Sequence, residues 1–372
     1  MITVDRHQAL RAASFVDLAG GDVKIACAGR ALILKSSGPG RSARAQITGE
    51  TTPSKGWSYT CPQGQLSAAF RAMTGDQVEL DSDRLVRSGK LRLHLFAVDQ
   101  AEDAFTEIGE ETIHNIKRSL LREAIAGVAW ALPPAADSRA ALQGINLSAG
   151  GSKGDELWAA ATDGNRIAYV RVVAGTHCKV FAEPMTLGPE VLKMLRPLID
   201  VDRGTVAIRR SGKWIEVESH RDGVRLTMEA KAVGLPFPPY RQLFPLGSAG
   251  RTIATVGLVE LTDGLRFLVD SGTTTARVRL LSDSITVTDA TRDARFEAAA
   301  TCQASEHEVG VNARHLLDAL RAAAHHRLSA CGTAHLSLGR PSEPIVISRE
   351  VADANEGHDL WFSSLVSAMV LP

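Results

Sequence analysis

The sequence contains no long hydrophobic segment, few aromatic residues and no excess of charge of either sign. Aromatic residues make up 5% of its 372 residues, and 42 basic side chains balance 42 acidic ones. The longest apolar runs are far shorter than the roughly 20 residues needed to cross a bilayer, so no membrane span is predicted. The N terminus lacks the pattern of a secretory signal.

Cysteines are few and scattered. The five residues are Cys27, Cys61, Cys178, Cys302 and Cys331. Their odd number and the absence of a close pair argue against a disulfide framework and against a zinc site. Reduced thiols in a cytoplasmic protein are the expected state.

Three short segments repeat one another at a fixed interval of 125 residues, at 66–72, 191–197 and 316–322. In each segment an apolar residue is followed directly by an arginine, as in Phe70-Arg71. A second apolar residue, Leu66 in the first segment, lies four positions before the first apolar residue. A repeat this long is a domain rather than a solenoid module, and three copies nearly fill the chain. The sequence therefore predicts three tandem copies of one domain.

Each copy reads as two amphipathic helices and sets of alternating strands. Apolar residues recur at helical spacing in the three repeated segments, with basic residues on the opposite face. Strand-like runs separated by turn residues follow each of them. The predicted class is α+β, with the helices packed on antiparallel sheets. An acidic stretch near residue 111 and a proline-rich then glycine-rich break near 246 place the domains at 1–111, 112–246 and 247–372.

Two motifs carry a resemblance to a known family. They are Ala161 to Ala168, with the sequence ATDGNRIA, and Phe237 to Pro245, with the sequence FPPYRQLFP. Together with the triplication, with Arg87 to Leu95 and with Gly310 to Asn312 opening the last helix, they resemble the bacterial DNA polymerase III β subunits, the DNA sliding clamps. The resemblance spans the whole chain.

The resemblance implies a head-to-tail homodimeric ring of six similar domains that encircles duplex DNA. Such a protein is a non-catalytic processivity factor for replication or repair polymerases, and it holds the polymerase and the clamp loader through short linear peptides. A partner-peptide groove between the second and third domains is implied at these positions: Leu142, Thr162, Gly164, Asn165, Arg166, Ile167, Pro238, Gln242, Leu243, Leu365, Met369 and Leu371.

A clamp that slides contacts phosphates without reading bases, so its DNA-facing helices should be basic. The expected DNA-binding residues are Arg6, Arg11, Arg71, Lys117, Arg118, Arg122, Lys193, Arg196, Arg314 and Arg321. A closed ring needs heterologous contacts between the first domain of one copy and the third domain of the other. The residues that match this interface in the family are Lys90, Arg92, Leu93, Leu95, Asp289, Asp293 and Glu297.

Three of the chain's departures from the family bear on the choice of function. Its tail ends Met369-Val370-Leu371-Pro372, the loop 133–141 is rich in alanine, and Arg292 and Arg295 interrupt the acidic interface segment. These departures favour an alternative function: a clamp-derived protein interaction module that binds a dedicated partner and does not load on DNA.

Enzyme functions find little support in the sequence. Gly38 to Ala43 resembles a dinucleotide-binding turn, but no helix follows it, so a hairpin loop is predicted. Gly150 to Gly154 lacks the spacing of a phosphate loop. His307-Glu308 and His325-His326 have no neighbours at metal-ligand spacing. We therefore predict no catalytic, cofactor-binding or metal-binding residues.

Overall fold

The computed structural model describes residues 1–52, 56–98, 113–151, 155–173, 179–201, 203–244, 251–289, 294–302, 307–325, 332–340, 343–353 and 358–369. These residues contain six α-helices and 26 β-strands. None of the helices in these ranges is long and apolar enough to span a bilayer.

One order of elements occurs three times along the chain: a strand and a helix, a set of antiparallel strands, a second helix and three final strands. In the third copy a short fourth strand follows these three. The first copy consists of β1 (Ile2–Asp5), α1 (Arg6–Val16), β2 (Val23–Ala28), β3 (Ala31–Gly38), β4 (Arg41–Thr48), β5 (Glu50–Thr51), β6 (Trp57–Cys61), α2 (Gln65–Ala72), β7 (Gln77–Leu80), β8 (Leu85–Ser88) and β9 (Leu91–His94).

The second copy consists of β10 (His114–Lys117), α3 (Arg118–Ala129), β11 (Ile145–Gly150), β12 (Glu156–Thr162), β13 (Arg166–Val173), β14 (Met185–Leu187), α4 (Pro189–Ile199), β15 (Thr205–Ser211), β16 (Trp214–Arg221) and β17 (Val224–Lys231). The third consists of β18 (Thr252–Gly257), α5 (Leu258–Asp270), β19 (Thr275–Leu280), β20 (Ser284–Asp289), β21 (Arg295–Cys302), β22 (His307–Asn312), α6 (Ala313–His325), β23 (Thr333–Leu338), β24 (Ile345–Asp353), β25 (His358–Val366) and β26 (Ala368–Met369).

The same backbone hydrogen bond marks the start of the first helix in every copy. The N–H of the first helical residue donates to the carbonyl of the residue just before the first of the three final strands. The three bonds are Arg6 to Asp76 at 2.8 Å, Arg118 to Gly204 at 3.0 Å and Leu258 to Gly332 at 2.7 Å. This bond aligns the copies residue by residue along their first helices, and the predicted triplication is confirmed.

The predicted apolar face of the second helices is also confirmed. Both apolar positions of each repeated segment are buried, namely Leu66 and Phe70, Val191 and Leu195, and Leu316 and Leu320. Burying six large apolar side chains contributes about 1.5 to 3 kcal/mol each, and this favours packing of the helices on the sheets.

The chain forms two compact units. Unit 1 comprises Met1–Ser119 with Leu187–Ala232, and unit 2 comprises Leu120–Thr186 with Val233–Pro372. Unit 1 contains a five-stranded sheet in the order β5-β1-β7-β8-β9 and an eight-stranded sheet in the order β10-β15-β16-β17-β4-β3-β2-β6. Unit 2 contains thirteen strands in the order β14-β11-β12-β13-β25-β24-β23-β18-β21-β20-β19-β22-β26.

Some local predictions differ from the structure. Ile116, Leu120, Ala124 and Val128 recur every four residues, which predicts one helix from Ile116 onward. Ile116 instead lies in β10, and α3 begins two residues later. Gly310 to Asn312 are the last three residues of β22, and the Asn312 side chain caps α6 by accepting a hydrogen bond from the His315 N–H at 3.0 Å. Gly38 to Arg41 is a hairpin turn, as predicted. The domain boundaries near 111 and 246 lie outside the described residues and stay predictions.

Candidate functional site

The first family motif forms a tight turn between β12 and β13. The Thr162 hydroxyl accepts a hydrogen bond from the Gly164 N–H at 3.0 Å and donates one to the Arg166 carbonyl at 2.7 Å. The Asp163 carboxylate accepts hydrogen bonds from the backbone N–H groups of the two residues after Gly164. Gly164 has a φ of +88°, and a Cβ at this position would lie 2.7 Å from Nη1 of Arg139. The positive φ therefore favours glycine, whereas the nearby Nη1 is the end of a flexible side chain that can move aside.

Arg166 connects this turn to α6. Its Nε donates to Asp163 at 3.0 Å and its Nη1 donates to Asp318 at 2.7 Å. The guanidinium lies 5.2 Å from the ring centroid of Trp130, a cation–π distance. Burial lowers the pKa of the neighbouring His315, and the charge of Arg166 lowers it further. Arg166 is thus held in one orientation by two carboxylates and an aromatic ring.

The alanine-rich loop before β11 is fastened to the same turn. Arg139 donates to the Asp163 carbonyl at 2.7 Å and to the Asp137 carboxylate at 2.6 Å. Hydrogen bonds from the Arg139 side chain and backbone lower the pKa of Asp137 to about 2. Leu142 follows on a short 3-10 helix, Ala140–Leu142, and is buried. The loop therefore places Leu142 beside the turn.

Apolar residues of the predicted groove meet around Ile167. This side chain is buried in one cluster with Ala160, Tyr240 and Val346. Tyr240 begins a 3-10 helix, Tyr240–Leu243, in which Gln242 is exposed and the Leu243 side chain is 56% exposed. Because Leu243 is a large apolar residue left open to solvent beside buried ones, it can gain contacts from a ligand. Pro238, just before this helix, is half-buried.

The tail contributes backbone positions to this region. Leu365 in β25 pairs with Ile167 in β13, and Met369 in β26 pairs with Gly310 in β22. Leu371 lies outside the described residues. Of the predicted groove residues, the structure thus brings the turn, Ile167, the 240–243 helix and the Leu365 backbone together. Trp130, Arg139 and Asp318 are absent from the prediction, because they are distant in sequence and belong to no local motif.

The predicted DNA-binding residues differ in exposure. Those that are exposed are Arg71, Lys117, Lys193, Arg196 and Arg314, and those that are partly buried are Arg6, Arg11, Arg122 and Arg321. Lys193 lies 2.7 Å from Glu190, and Arg314 lies 3.5 Å from Asp318. Such exposed pairs are weak and leave the cation available to another anion.

Arg118 differs from the other predicted DNA contacts because it is only 4% exposed. Its guanidinium donates to the Ser219 hydroxyl at 2.8 Å and to the backbone carbonyls of His220 at 3.0 Å and Arg203 at 3.2 Å. Burial lowers the pKa of Arg118. The side chain therefore anchors the start of α3 inside unit 1 instead of facing solvent.

The same pair of strands joins neighbouring copies at both junctions within the chain. In the first copy β4 pairs with β17, the last of the three final strands of the second copy. In the second copy β13, the counterpart of β4, pairs with β25, the corresponding strand of the third copy. Two equivalent strands remain: β21 in the third copy corresponds to β4 and β13, and β9 in the first copy corresponds to β17 and β25. Among the described strands, β9 ends its sheet, and residues 295–299 of β21 pair on one side only, with β20.

The predicted interface residues lie on and near these two strands. Lys90 and Arg92 are exposed, Leu93 is half-buried and Leu95 is buried within unit 1. On the acidic side Glu297 is exposed, whereas Asp289 is buried and accepts a hydrogen bond from the Thr273 hydroxyl at 2.6 Å. Asp293 lies outside the described residues.

Comparison with known proteins identifies the fold. The chain is similar to the crystal structure of the DNA polymerase III subunit β from Pseudomonas aeruginosa, with a TM-score of 0.80, 19% identity and all of both chains covered. It is also similar to the DNA polymerase III β subunit from Thermotoga maritima, with a TM-score of 0.79, 15% identity and 100% and 99% of the two chains covered. A sliding clamp from Pseudomonas aeruginosa bound to griselimycin gives a TM-score of 0.81, 19% identity and 99% coverage of each chain.

No family model matches the sequence, and no curated protein matches it. The chain therefore has the three-domain fold of the sliding clamps at a sequence identity of 15–19% to these three structures.

Proposed function

We propose that this protein is a DNA sliding clamp: two copies close head to tail into a ring around duplex DNA and tether a polymerase. The protein acts without catalysis and works in the cytoplasm, where replication and repair polymerases meet DNA. The three domains divide near residues 111 and 246. The pairing pattern at the junctions carries this proposal. Among the described residues, β9 pairs only with β8 and β21 pairs only with β18 and β20, so neither strand pairs with a strand of another copy of the domain.

Pairing β9 of one copy with β21 of another would repeat the β4–β17 and β13–β25 junctions a third time. An unpaired strand edge exposes backbone donors and acceptors that favour pairing with another strand. Because β9 and β21 are different surfaces, the contact is heterologous, and two such contacts related by a two-fold axis close a ring.

Exposed apolar side chains support the same interface. Within the described residues, seven large hydrophobic side chains are exposed. Four of them lie on the two faces that would meet: Leu91 and Phe96 at β9, and Val259 and Phe267 on α5, the helix that packs on β21. Covering such side chains on association stabilises the complex by about 25 cal/mol for each Å² of apolar area.

The basic helices support sequence-independent contact with DNA. Arg71 and Arg196 stand in the last turns of α2 and α4, and Arg321 occupies the repeated position in α6. Long cationic side chains at matching positions of three copies can follow a phosphate backbone without reading bases. Lys193, Arg314 and the other solvent-accessible basic residues named above add to this surface, whereas Arg118 does not.

The groove around Leu243 and Ile167 suits a short linear peptide. Exposed Leu243 offers apolar contact area, and the exposed Gln242 stands beside it to bind polar groups of the peptide backbone. We propose that polymerases and the clamp loader dock here. The sliding clamp bound to griselimycin, to which this chain is similar, is consistent with ligand binding by this fold.

Retention on circular DNA tests the proposal. Protein loaded on nicked circular DNA by a clamp loader should stay bound in high salt and should be lost after the circle is linearised. Phe267→Asp should prevent retention, because two charges would be buried unpaired in the ring, one at each junction. Equal retention on circular and linear DNA would refute sliding. A protein that is monomeric at micromolar concentration and is never retained would instead favour the dedicated-partner module.

A further inference from the structure

A polar contact accompanies the β4–β17 junction inside unit 1. The Gln8 side chain on α1 donates a hydrogen bond to the Asp222 carbonyl at 2.7 Å, and the Arg11 guanidinium lies 3.3 Å from the Asp222 carboxylate. Asp222 stands at the tip of the β16–β17 hairpin, in the two-residue turn Asp222-Gly223. The Asp222 carboxylate also lies 2.8 Å from the Arg221 guanidinium of its own hairpin. The junction thus joins a basic helix position to an acidic side chain at the hairpin tip.

The equivalent positions on α5 are acidic. The hydrogen bond at the helix start aligns Arg6 of α1 with Leu258 of α5, so the third and sixth helical residues correspond. They are Gln8 and Arg11 in α1, and Glu260 and Asp263 in α5. Glu260 is exposed, and the Asp263 side chain is 61% exposed. The helix that would face the partner therefore carries the opposite charge.

The β8–β9 hairpin, which corresponds to β16–β17, carries a basic residue at its tip where β16–β17 carries an acidic one. The β8–β9 hairpin also has a two-residue turn, Gly89-Lys90, and Lys90 is exposed. We propose that Lys90 of one copy binds Glu260 and Asp263 of the other copy, so that the ring junction is a charge-reversed version of the intrachain one. This inference rests on the proposed head-to-tail ring.

The two hairpins differ in length in the direction that suits their charged side chains, Asp222 on β16–β17 and Lys90 on β8–β9. The tip of β16–β17 extends about two residues beyond the first residue of β15, whereas the tip of β8–β9 is level with the first residue of β7. Two strand residues correspond to about 7 Å. A short aspartate on the longer hairpin and a long lysine on the shorter one can therefore reach the same helix face.

The acidic pair is available for this contact. Asp263 lies 3.4 Å from Arg266 on the next turn of α5, but both side chains are at least half exposed. Such a surface pair contributes little, so Asp263 can turn to a partner at small cost. Because opposite charges on separate surfaces steer association, this contact should also make ring closure depend on salt.

Charge exchange tests the inference directly. The dimer dissociation constants of the parent, Lys90→Glu, Glu260→Lys/Asp263→Lys and the combined variant would be measured by analytical ultracentrifugation at 50 and 500 mM NaCl. Each reversal should weaken the dimer at least about tenfold at low salt, since a two-fold ring contains the junction twice. The combined variant should recover most of this loss. Lys213→Glu, at the exposed β15–β16 turn, is the matched control and should leave the dimer unchanged.

The possible results distinguish failure of the proposed Lys90 contact from failure of the proposed ring. A parent dimer whose affinity is unchanged by Lys90→Glu, or a combined variant no tighter than the single reversals, would overturn the inference and leave the ring standing. A monomeric parent would refute the ring. Circular dichroism should report unchanged folding for all variants, because every substituted side chain is exposed.

Discussion

Replacing Arg118 separates a structural role from DNA contact, because this arginine has the sequence position of a phosphate-binding residue but the environment of a core residue. In Arg118→Ala, three hydrogen bonds from a charged guanidinium are lost, and the Ser219 hydroxyl and two backbone carbonyls lose a donor. A hydrogen bond to a charged group contributes about 1.5 to 3 kcal/mol, and part of this sum is offset by the cost of burying the guanidinium. We expect a loss of about 3 kcal/mol in unfolding free energy.

Two further substitutions sharpen the comparison. Arg118→Lys keeps the positive charge, but one ammonium group cannot reproduce the planar fork that reaches all three acceptors. It should therefore lose about 1 to 2 kcal/mol, less than alanine. Arg71→Ala removes an exposed charge of the same type and should change stability by less than about 0.5 kcal/mol.

The measurement is urea unfolding combined with hydrogen exchange of the β15 and β16 amides. With a slope of about 1 to 3 kcal/mol per molar urea, a loss of 3 kcal/mol shifts the midpoint by about 1 M or more. Hydrogen exchange assigns the loss to unit 1, because a chain with two compact units need not unfold in one step. If Arg118→Ala were as stable as the parent and weakened DNA association as Arg71→Ala does, the structural role would be refuted.

Three further predictions concern the groove and the buried thiol. Leu243→Asp should abolish binding of a polymerase-derived peptide in fluorescence anisotropy while the dimer persists, and unchanged binding would place the groove elsewhere. Burial, with the nearby Asp17 and Asp22 charges, raises the pKa of Cys61 to about 12. Mass spectrometry should therefore find its thiol unlabelled by iodoacetamide at pH 8 until the protein unfolds. Rapid labelling of the folded protein would contradict this. Arg139→Ala should raise the pKa of Asp137 from about 2 toward its usual value near 4 in an NMR titration. In the parent, this pair's contribution to stability is present above the unfolded carboxyl pKa and is lost as the pH falls through about 2, and an unmoved Asp137 titration would exclude Arg139 as the cause.

The family resemblance carried by two local motifs predicts much of the candidate site. The Thr162-Asp163-Gly164 turn can be predicted from sequence because its side chains form hydrogen bonds with the backbone of the same turn. Gly164 also adopts a positive φ, which few other residues adopt. The resemblance predicts Leu243 as a groove residue, and the structure shows that it is exposed. Asp318 could not be predicted as a partner of Arg166, because the 152 residues between them are brought together only by packing.

By itself, the sequence determined the triplication, the α+β class and the buried faces of the second helices, because periodicity and burial act over one or two helical turns and recur in each copy. The tertiary structure alone decided which strands meet at the junctions and what the individual charges do. Arg118 and Arg71 both occupy basic helix positions, yet Arg118 is enclosed by acceptors of the distant residues Arg203, Ser219 and His220, whereas Arg71 is open to solvent. The difference depends on desolvation by residues far along the chain, and that is a property of the packed structure.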